Sequence, residues 1–348
     1  MPKKVKIKYD ISSRLFTNND YVNIDKPTEF HLTVSPARRN PNFKYYNNAF
    51  KNSGIFKEVV THELMSHGQR RTKHIRNSIY KIKINDTICA IDANDVSPID
   101  NNFIKNNNEL FRDIKFYFIL QYTLKKKSLF SKIENKFGFK ILPLTYGVDN
   151  QFPISLFKWS NKQKHDYLAN AAFTVAKNRK HRAAWVRQAK RSNGFYTKFI
   201  KDKHEYARQL EKCSWGLSIR GAHETYDGKC YREAEFLSLG MPLALNYIPC
   251  YPFPFYPNWH YVYLSSPNDL SILKEIDPAP YAERSDILWK KYFSPQGVSS
   301  LLLNLVFNEE YRNNIDNVWR QFCKKPNGQI RERAIKPDKC QIKINFKK

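Results

Sequence analysis

The sequence predicts an α/β protein of two units. Three observations carry this: β-branched runs between polar connections in the first half, a strand–helix alternation through the second, and a turn-rich stretch between them. Residues 142–154, LPLTYGVDNQFPI, supply that stretch with two prolines and a glycine. At about 150 residues per domain, the 348-residue chain divides into 1–145, 146–325 and a short basic tail, 326–348.

In the first half Val5, Ile7 and Tyr9 alternate with Lys4, Lys6 and Lys8, and Phe30, Leu32 and Val34 repeat the pattern. Period-2 alternation belongs to a half-buried strand. Further β-branched runs occupy 58–61, 79–84 and 87–91, while 40–54 and 100–110 suit helix or loop. The second half reads as a strand at 171–175, helices at 180–190 and 204–213, a strand at 215–219, a helix at 229–239 and strands at 243–246 and 261–264. That βαβαβ succession predicts a doubly wound parallel sheet. Residues 286–292, 298–307 and 309–323 read as helices.

Hydrophobic residues make up 41% of the chain and aromatics 15%, which excludes a disordered protein. Lys and Arg total 59 against 32 Asp and Glu, a formal net charge of +27, so a polyanionic partner is expected: nucleic acid, an anionic membrane surface or a phosphorylated substrate. A lysine-rich source composition is the plain alternative. Residues 1–10 alternate lysines with apolar residues and no apolar core follows, so a secretory leader is not expected. No apolar run approaches the ~18–20 residues that cross a bilayer. Six cysteines without a CxxC pair predict reduced thiols in a cytoplasmic setting, with neither a disulfide framework nor a zinc site.

The chemistry concentrates in 215–246, WGLSIRGAHETYDGKCYREAEFLSLGMPLALN. A strand ends at Ile219, a loop with Arg220, Gly221 and Gly228 follows, and Asp227 stands at an N-cap position before the helix. Ligands of open α/β sheets bind outside the carboxyl ends of strands, where helix N-termini favour anions. Lys229, Arg232 and Glu235 recur every third residue and share one helix arc, about 120° wide. Arg forks onto phosphate oxygens, Lys adds a point charge and a carboxylate accepts from ribose hydroxyls. The set suits a nucleoside diphosphate, with ordinary i,i+3 surface pairing as the alternative.

Arg232-x-x-Glu235-x-x-x-x-Gly240-x-Pro242 resembles the C-terminal nucleotide-sugar signature of GT-B glycosyltransferases, most closely the exostosin-like type. The resemblance implies two Rossmann-like domains facing each other across a cleft, with the donor in the C-terminal one and acceptor binding mainly by the N-terminal one. It assigns Glu235 to the ribose and Arg232, Lys229 and Arg220 to the diphosphate, with Glu233 as a neighbour on a different helix face. Here the loop at 221–228 is longer and more polar than a tight glycine turn. By the same resemblance Arg179, in AKNRKHR after the first strand of the second half, is a phosphate contact, and His260, after the Pro-rich loop 249–257, faces the nucleotide. For Arg179 a solvated helix start, and for His260 packing, are the alternatives.

For a catalytic base in the first half, Asp92 and Asp95 in CAIDANDVS follow an apolar strand at its carboxyl end. A turn in which they bond local backbone is the competing reading. His62 and His67 in HELMSH stand five apart, which turns the second about 100° from the first metal-binding face, so no zinc protease is expected. Neither a Walker loop nor GxGxxG occurs. The expectation is a cofactor-free, metal-independent glycosyltransferase using a nucleotide-sugar donor such as a UDP-sugar. Its acceptor belongs to surface polysaccharide or glycolipid synthesis, the enzyme being cytoplasmic and peripheral to an anionic membrane. The alternative acceptor is a hydroxylated base of DNA, supported by the basic residues crowding 177–208. A non-enzymatic nucleic-acid-binding protein ranks third.

Overall fold

A computed structural model describes residues 30–36, 44–61, 79–94, 97, 99–123, 126–148, 152–154, 156–173, 175, 181–220 and 231–322. The alternation at 5–9, the HELMSH segment at 62–67 and the tail at 326–348 lie outside the described residues.

Among the described residues the first half forms a six-stranded sheet from β1 (Phe30–Pro36), β2 (Phe56–Thr61), β3 (Ile79–Ile84), β4 (Thr87–Asp92), β5 (Phe116–Ile119) and β6 (Lys140–Pro143), in the order β2-β1-β3-β4-β5-β6. It is a mixed sheet. β4, β5 and β6 run parallel, as do β1 and β2, but β3 is antiparallel to both of its neighbours. The β3–β4 hairpin turns through Asn85 and Asp86, and Asn85 takes φ 50, a left-handed conformation that Asn tolerates better than branched residues. Its side chain also accepts from the His31 N–H at 2.9 Å. The connections carry α1 (Lys44–Lys51), α2 (Asn101–Asn106), α3 (Asn108–Phe111) and α4 (Lys127–Phe137). α2 starts where Asp100 accepts from the Phe103 N–H, and α4 stops at Gly138, φ 78.

The second sheet is wholly parallel, with β7 (Tyr167–Asn170), β8 (Phe195–Tyr196), β9 (Cys213–Ser218), β10 (Leu243–Leu245) and β11 (Tyr261–Tyr263) ordered β11-β10-β9-β7-β8. Helices α5 (His181–Arg191), α6 (Lys203–Glu211) and α7 (Tyr231–Ser238) connect it. The strand expected at 171–175 lies four residues earlier. The Ala171 N–H makes a last ladder bond to the Tyr196 carbonyl at 2.8 Å; Asn170 Oδ1 accepts the Ala172 N–H at 2.9 Å and the chain leaves the strand there, with Ala171 and Phe173 buried in the core. At Gly216 β9 and α7 come together closely: a Cβ there would lie 2.6 Å from Phe236 Cγ. Only glycine fits that approach.

The chain then forms α8 (Ala279–Leu288), a π turn over Trp289–Phe293, α9 (Pro295–Phe307) and α10 (Glu309–Phe322). α8 starts earlier than expected, with Asp277 accepting from the Ala279 N–H. Likewise α9 starts at Pro295, because Ser294 caps the Gly297 N–H and proline suits the first helical turn. α9 returns to the first half and packs on α1. Ser299 Oγ donates to the Ala49 carbonyl at 3.3 Å, and the Phe307 and Phe30 rings lie 5.6 Å apart. One apolar core therefore runs through both halves, from Phe30 and Tyr46 to Leu302 and Ile315, while a smaller one gathers Trp185, Trp215, Ile219 and Leu270. No helix among the described residues is long and apolar enough to cross a membrane.

Candidate functional site

Because every strand pair of the second sheet is parallel, all its carboxyl ends share one edge, from which α5, α6 and α7 leave. Backbone groups at that edge have no next ladder rung and require other partners. Arg182, in the first turn of α5 and 4% exposed, supplies them for β9, donating from Nη2 to the Ile219 carbonyl and from Nε to the Arg220 carbonyl, both at 2.9 Å. Asn246, just after β10, accepts the Arg220 N–H at 2.8 Å. Arg220 is thus fixed at the edge by its backbone, with its side chain half-buried.

Arg232, in the first turn of α7, places its guanidinium 5.4 Å from the centre of the Phe173 ring, and Arg182 lies 5.9 Å from the same ring. Two cations thereby share one aromatic platform beyond β7. Three residues further along α7, Glu235 is 1% exposed and accepts a hydrogen bond from Lys203 Nζ at 2.5 Å. Lys203 opens α6 directly after Asp202, whose side chain caps the Glu205 N–H. Its ammonium sits among the rings of Phe152, Tyr206 and Tyr231, 5.9, 5.9 and 5.7 Å from their centres.

The structure therefore brings Arg220, Arg232 and Glu235 to one sheet edge. Arg179, Lys229 and Asp95 lie outside the described residues. Glu233, expected as a neighbour of the donor set on a different helix face, is turned into the core. It is fully buried and accepts from the hydroxyls of Tyr247 and Tyr251, with Ser218 Oγ 3.0 Å from the Tyr247 hydroxyl. Two helix positions separate Glu233 from Glu235, about 200° of rotation, so they serve opposite faces of α7. His260 also has a local role. Its Nδ1 accepts the Tyr256 N–H at 2.8 Å, and burial beside Arg284 pushes its pKa down to about 3, which keeps the ring neutral.

Asp92 is likewise held by local partners. The carboxylate is wholly buried and accepts from the Asn94 N–H at 3.0 Å, Asn94 Nδ2 at 2.7 Å, Ser97 Oγ at 2.6 Å and the Tyr117 hydroxyl at 3.1 Å. Burial raises its pKa and these hydrogen bonds pull it back. Its oxygens are engaged by the turn after β4 and by Tyr117 of β5, as in the competing reading of a turn that bonds locally.

Arg182, Lys203 and Asn246 are edge residues that the sequence reading passed over. A signal existed for two of them: each basic side chain lies in the first turn of a helix that follows a parallel strand, the place where chain direction sets side chains at the carboxyl edge. A cavity of about 390 Å³ runs along α6 and the end of β8, lined by Tyr196, Phe199, Lys201, Arg208 and Gln209 among others. Lys203 and Glu235 do not line it, and Asp202 and Glu205 offset its cations. Among the described residues no three His, Cys, Asp or Glu side chains gather as a metal site.

No protein-family model matches the chain. No curated protein sequence matches it. Among solved structures it is similar to a GtfA/B complex, at 14% identity and TM-score 0.35 over 63% of this chain and 50% of that one. It is also similar to TarM, at 13% identity and TM-score 0.36 over 62% of this chain and 49% of that one. A third is the pneumococcal O-GlcNAc transferase GtfA in complex with UDP and GlcNAc, at 13% identity and TM-score 0.29, covering 65% and 49%. The chain spans about half the length of these structures.

Proposed function

We propose that the chain is a nucleotide-sugar-dependent glycosyltransferase of GT-B type, binding its donor at the carboxyl edge of the second sheet and passing the sugar to an acceptor hydroxyl. One observation carries the reading: α7 brings Arg232, on the Phe173 platform, and Glu235, paired with Lys203, to the edge where the backbone of Arg220 is pinned. A sugar diphosphate needs cations in fixed orientations, and its ribose needs an acceptor for two vicinal hydroxyls. The spacing of Arg232 and Glu235 resembles the nucleotide-sugar signature at the same two positions. The donor belongs to 146–325 in this reading and the acceptor mainly to 1–145; as the acceptor oxygen bonds to the anomeric carbon, the bond from that carbon to the diphosphate breaks, and the nucleoside diphosphate leaves with its charge neutralised by Arg side chains, without a metal, its phosphate taking the acceptor's proton.

Isothermal titration with UDP, GDP, dTDP and ADP tests it. One nucleotide binds the wild type, and Arg232→Ala and Glu235→Ala each weaken that binding about tenfold or more, ~1.4 kcal/mol. Absence of binding by all four, or unchanged affinity in both variants, removes the assignment.

For the acceptor we propose surface polysaccharide or glycolipid, with the enzyme held from the cytoplasmic side to anionic headgroups by its charge. A second reading, transfer to a hydroxylated base of DNA, draws on the exposed Lys198, Lys201, Arg208 and Lys212 around α6. Labelled donor offered to glycolipid extract, hydroxymethylated DNA and unmodified DNA separates them: label in lipid alone ends the DNA reading, and label in hydroxymethylated DNA alone ends the first.

A further inference from the structure

We propose that Lys203 is the positioning residue of the donor site, orienting and neutralising Glu235 so that this carboxylate can receive the ribose hydroxyls; the proposal rests on the donor reading above. The starting point is burial. A carboxylate 1% exposed to water is costly unless a cation and hydrogen bonds replace its hydration, and in its protonated form it turns partly from acceptor to donor. Lys203 supplies the counter-charge through a bond of 2.5 Å to Oε1.

The lysine is itself held. Phe152 comes from the stretch between the two halves, Tyr206 from α6 and Tyr231 from the start of α7, and each ring centre lies within 5.9 Å of Nζ. Three rings from three segments restrict the rotamers of a side chain that is otherwise among the most flexible. An ordinary surface ion pair lacks both features and contributes little. Here the acid partner is buried, so removing the cation takes away a counter-charge that water cannot readily replace. The bond from Lys203 to Oε1 fixes the plane of the carboxylate.

The test uses the full chain and whichever of UDP, GDP, dTDP and ADP binds the wild type most tightly. Titration is run on Lys203→Met, Lys203→Arg, Glu235→Gln and the double variant Lys203→Met/Glu235→Gln. Expected are about tenfold weaker binding in Lys203→Met, recovery to within about threefold of wild type in Lys203→Arg, and a double variant no weaker than Glu235→Gln alone, because residues acting as one unit are not additive. Rescue by the conservative cation is a result that loss of packing would not produce. If Lys203→Met does not fold, the double variant, in which both charges are gone, and Lys203→Arg carry the comparison.

Losses that add in the double variant would mean that Lys203 touches the nucleotide directly, which overturns the positioning role. Weak binding in Glu235→Gln beside wild-type affinity in Lys203→Met overturns that role while leaving the donor reading intact. Wild-type affinity in Glu235→Gln and Lys203→Met alike, or no binding by the wild type, overturns the donor reading itself.

Discussion

Asp92 and His260 show how a side chain suited to catalysis serves structure once its neighbours are known. Four donors converge on Asp92, so Asp92→Ala strands the groups of Asn94, Ser97 and Tyr117 inside the fold. The expected cost is about 1–3 kcal/mol in urea unfolding, with nucleotide affinity of the folded protein kept within about twofold. Full stability together with abolished sugar transfer would return Asp92 to the role of base. His260 yields a pH signature. Its pKa is about 3 in the fold against 6.5 ordinarily, so as pH falls the unfolded chain takes up the proton first. Its contribution is complete above pH 6.5 and is lost as pH falls towards 3, by up to ~1.4 kcal/mol per unit. Between pH 7 and 5 the wild type is expected to lose about 2 kcal/mol more than His260→Gln; parallel curves would mean that His260 titrates normally.

At the scale of elements, α7 is the part on which the site depends, and Gly216 seats it. A methyl group at 216 would press on Phe236 Cγ at 2.6 Å, with further contacts at 2.8 Å to Cδ2 and 2.9 Å to Cβ. Gly216→Ala is therefore expected to destabilise the fold by about 1–3 kcal/mol and, by lifting α7, to weaken nucleotide binding several-fold. Stability lost with affinity unchanged would show that the site does not depend on this contact. The helices of the second half were largely legible, because caps and periodicity are local: Asp202 ahead of α6 and Ser294 ahead of α9 both cap as their residue types suggest. The short strands were not. β8 has two residues, and its pairing to β7 comes from the sheet around it rather than from any pattern in Phe195–Tyr196.

At the scale of the molecule, α9 joins what the sequence divides. It is buried along most of its length, with Leu302 wholly so, and it rests on α1 of the first half. The shared core predicts one cooperative unfolding transition. All six tryptophans lie at or beyond position 159, so their fluorescence reports the second half while far-UV circular dichroism reports both. The two melts are expected to coincide, and Leu302→Ala to lower both together by about 2–5 kcal/mol. Separate transitions would mean that the halves fold independently.

The sequence by itself determined the α/β class, the parallel succession of the second half and the helix that carries Arg232 and Glu235, because hydrophobic period, capping and chain direction are properties of neighbours along the chain. Tertiary structure alone decided which polar side chains share a space. It sealed Glu233 beneath α7 with two tyrosines, enclosed Asp92 in its own turn, and brought Lys203, thirty-two positions before Glu235, into contact with it. Burial and charge pairing depend on elements distant in sequence, and no local pattern encodes them.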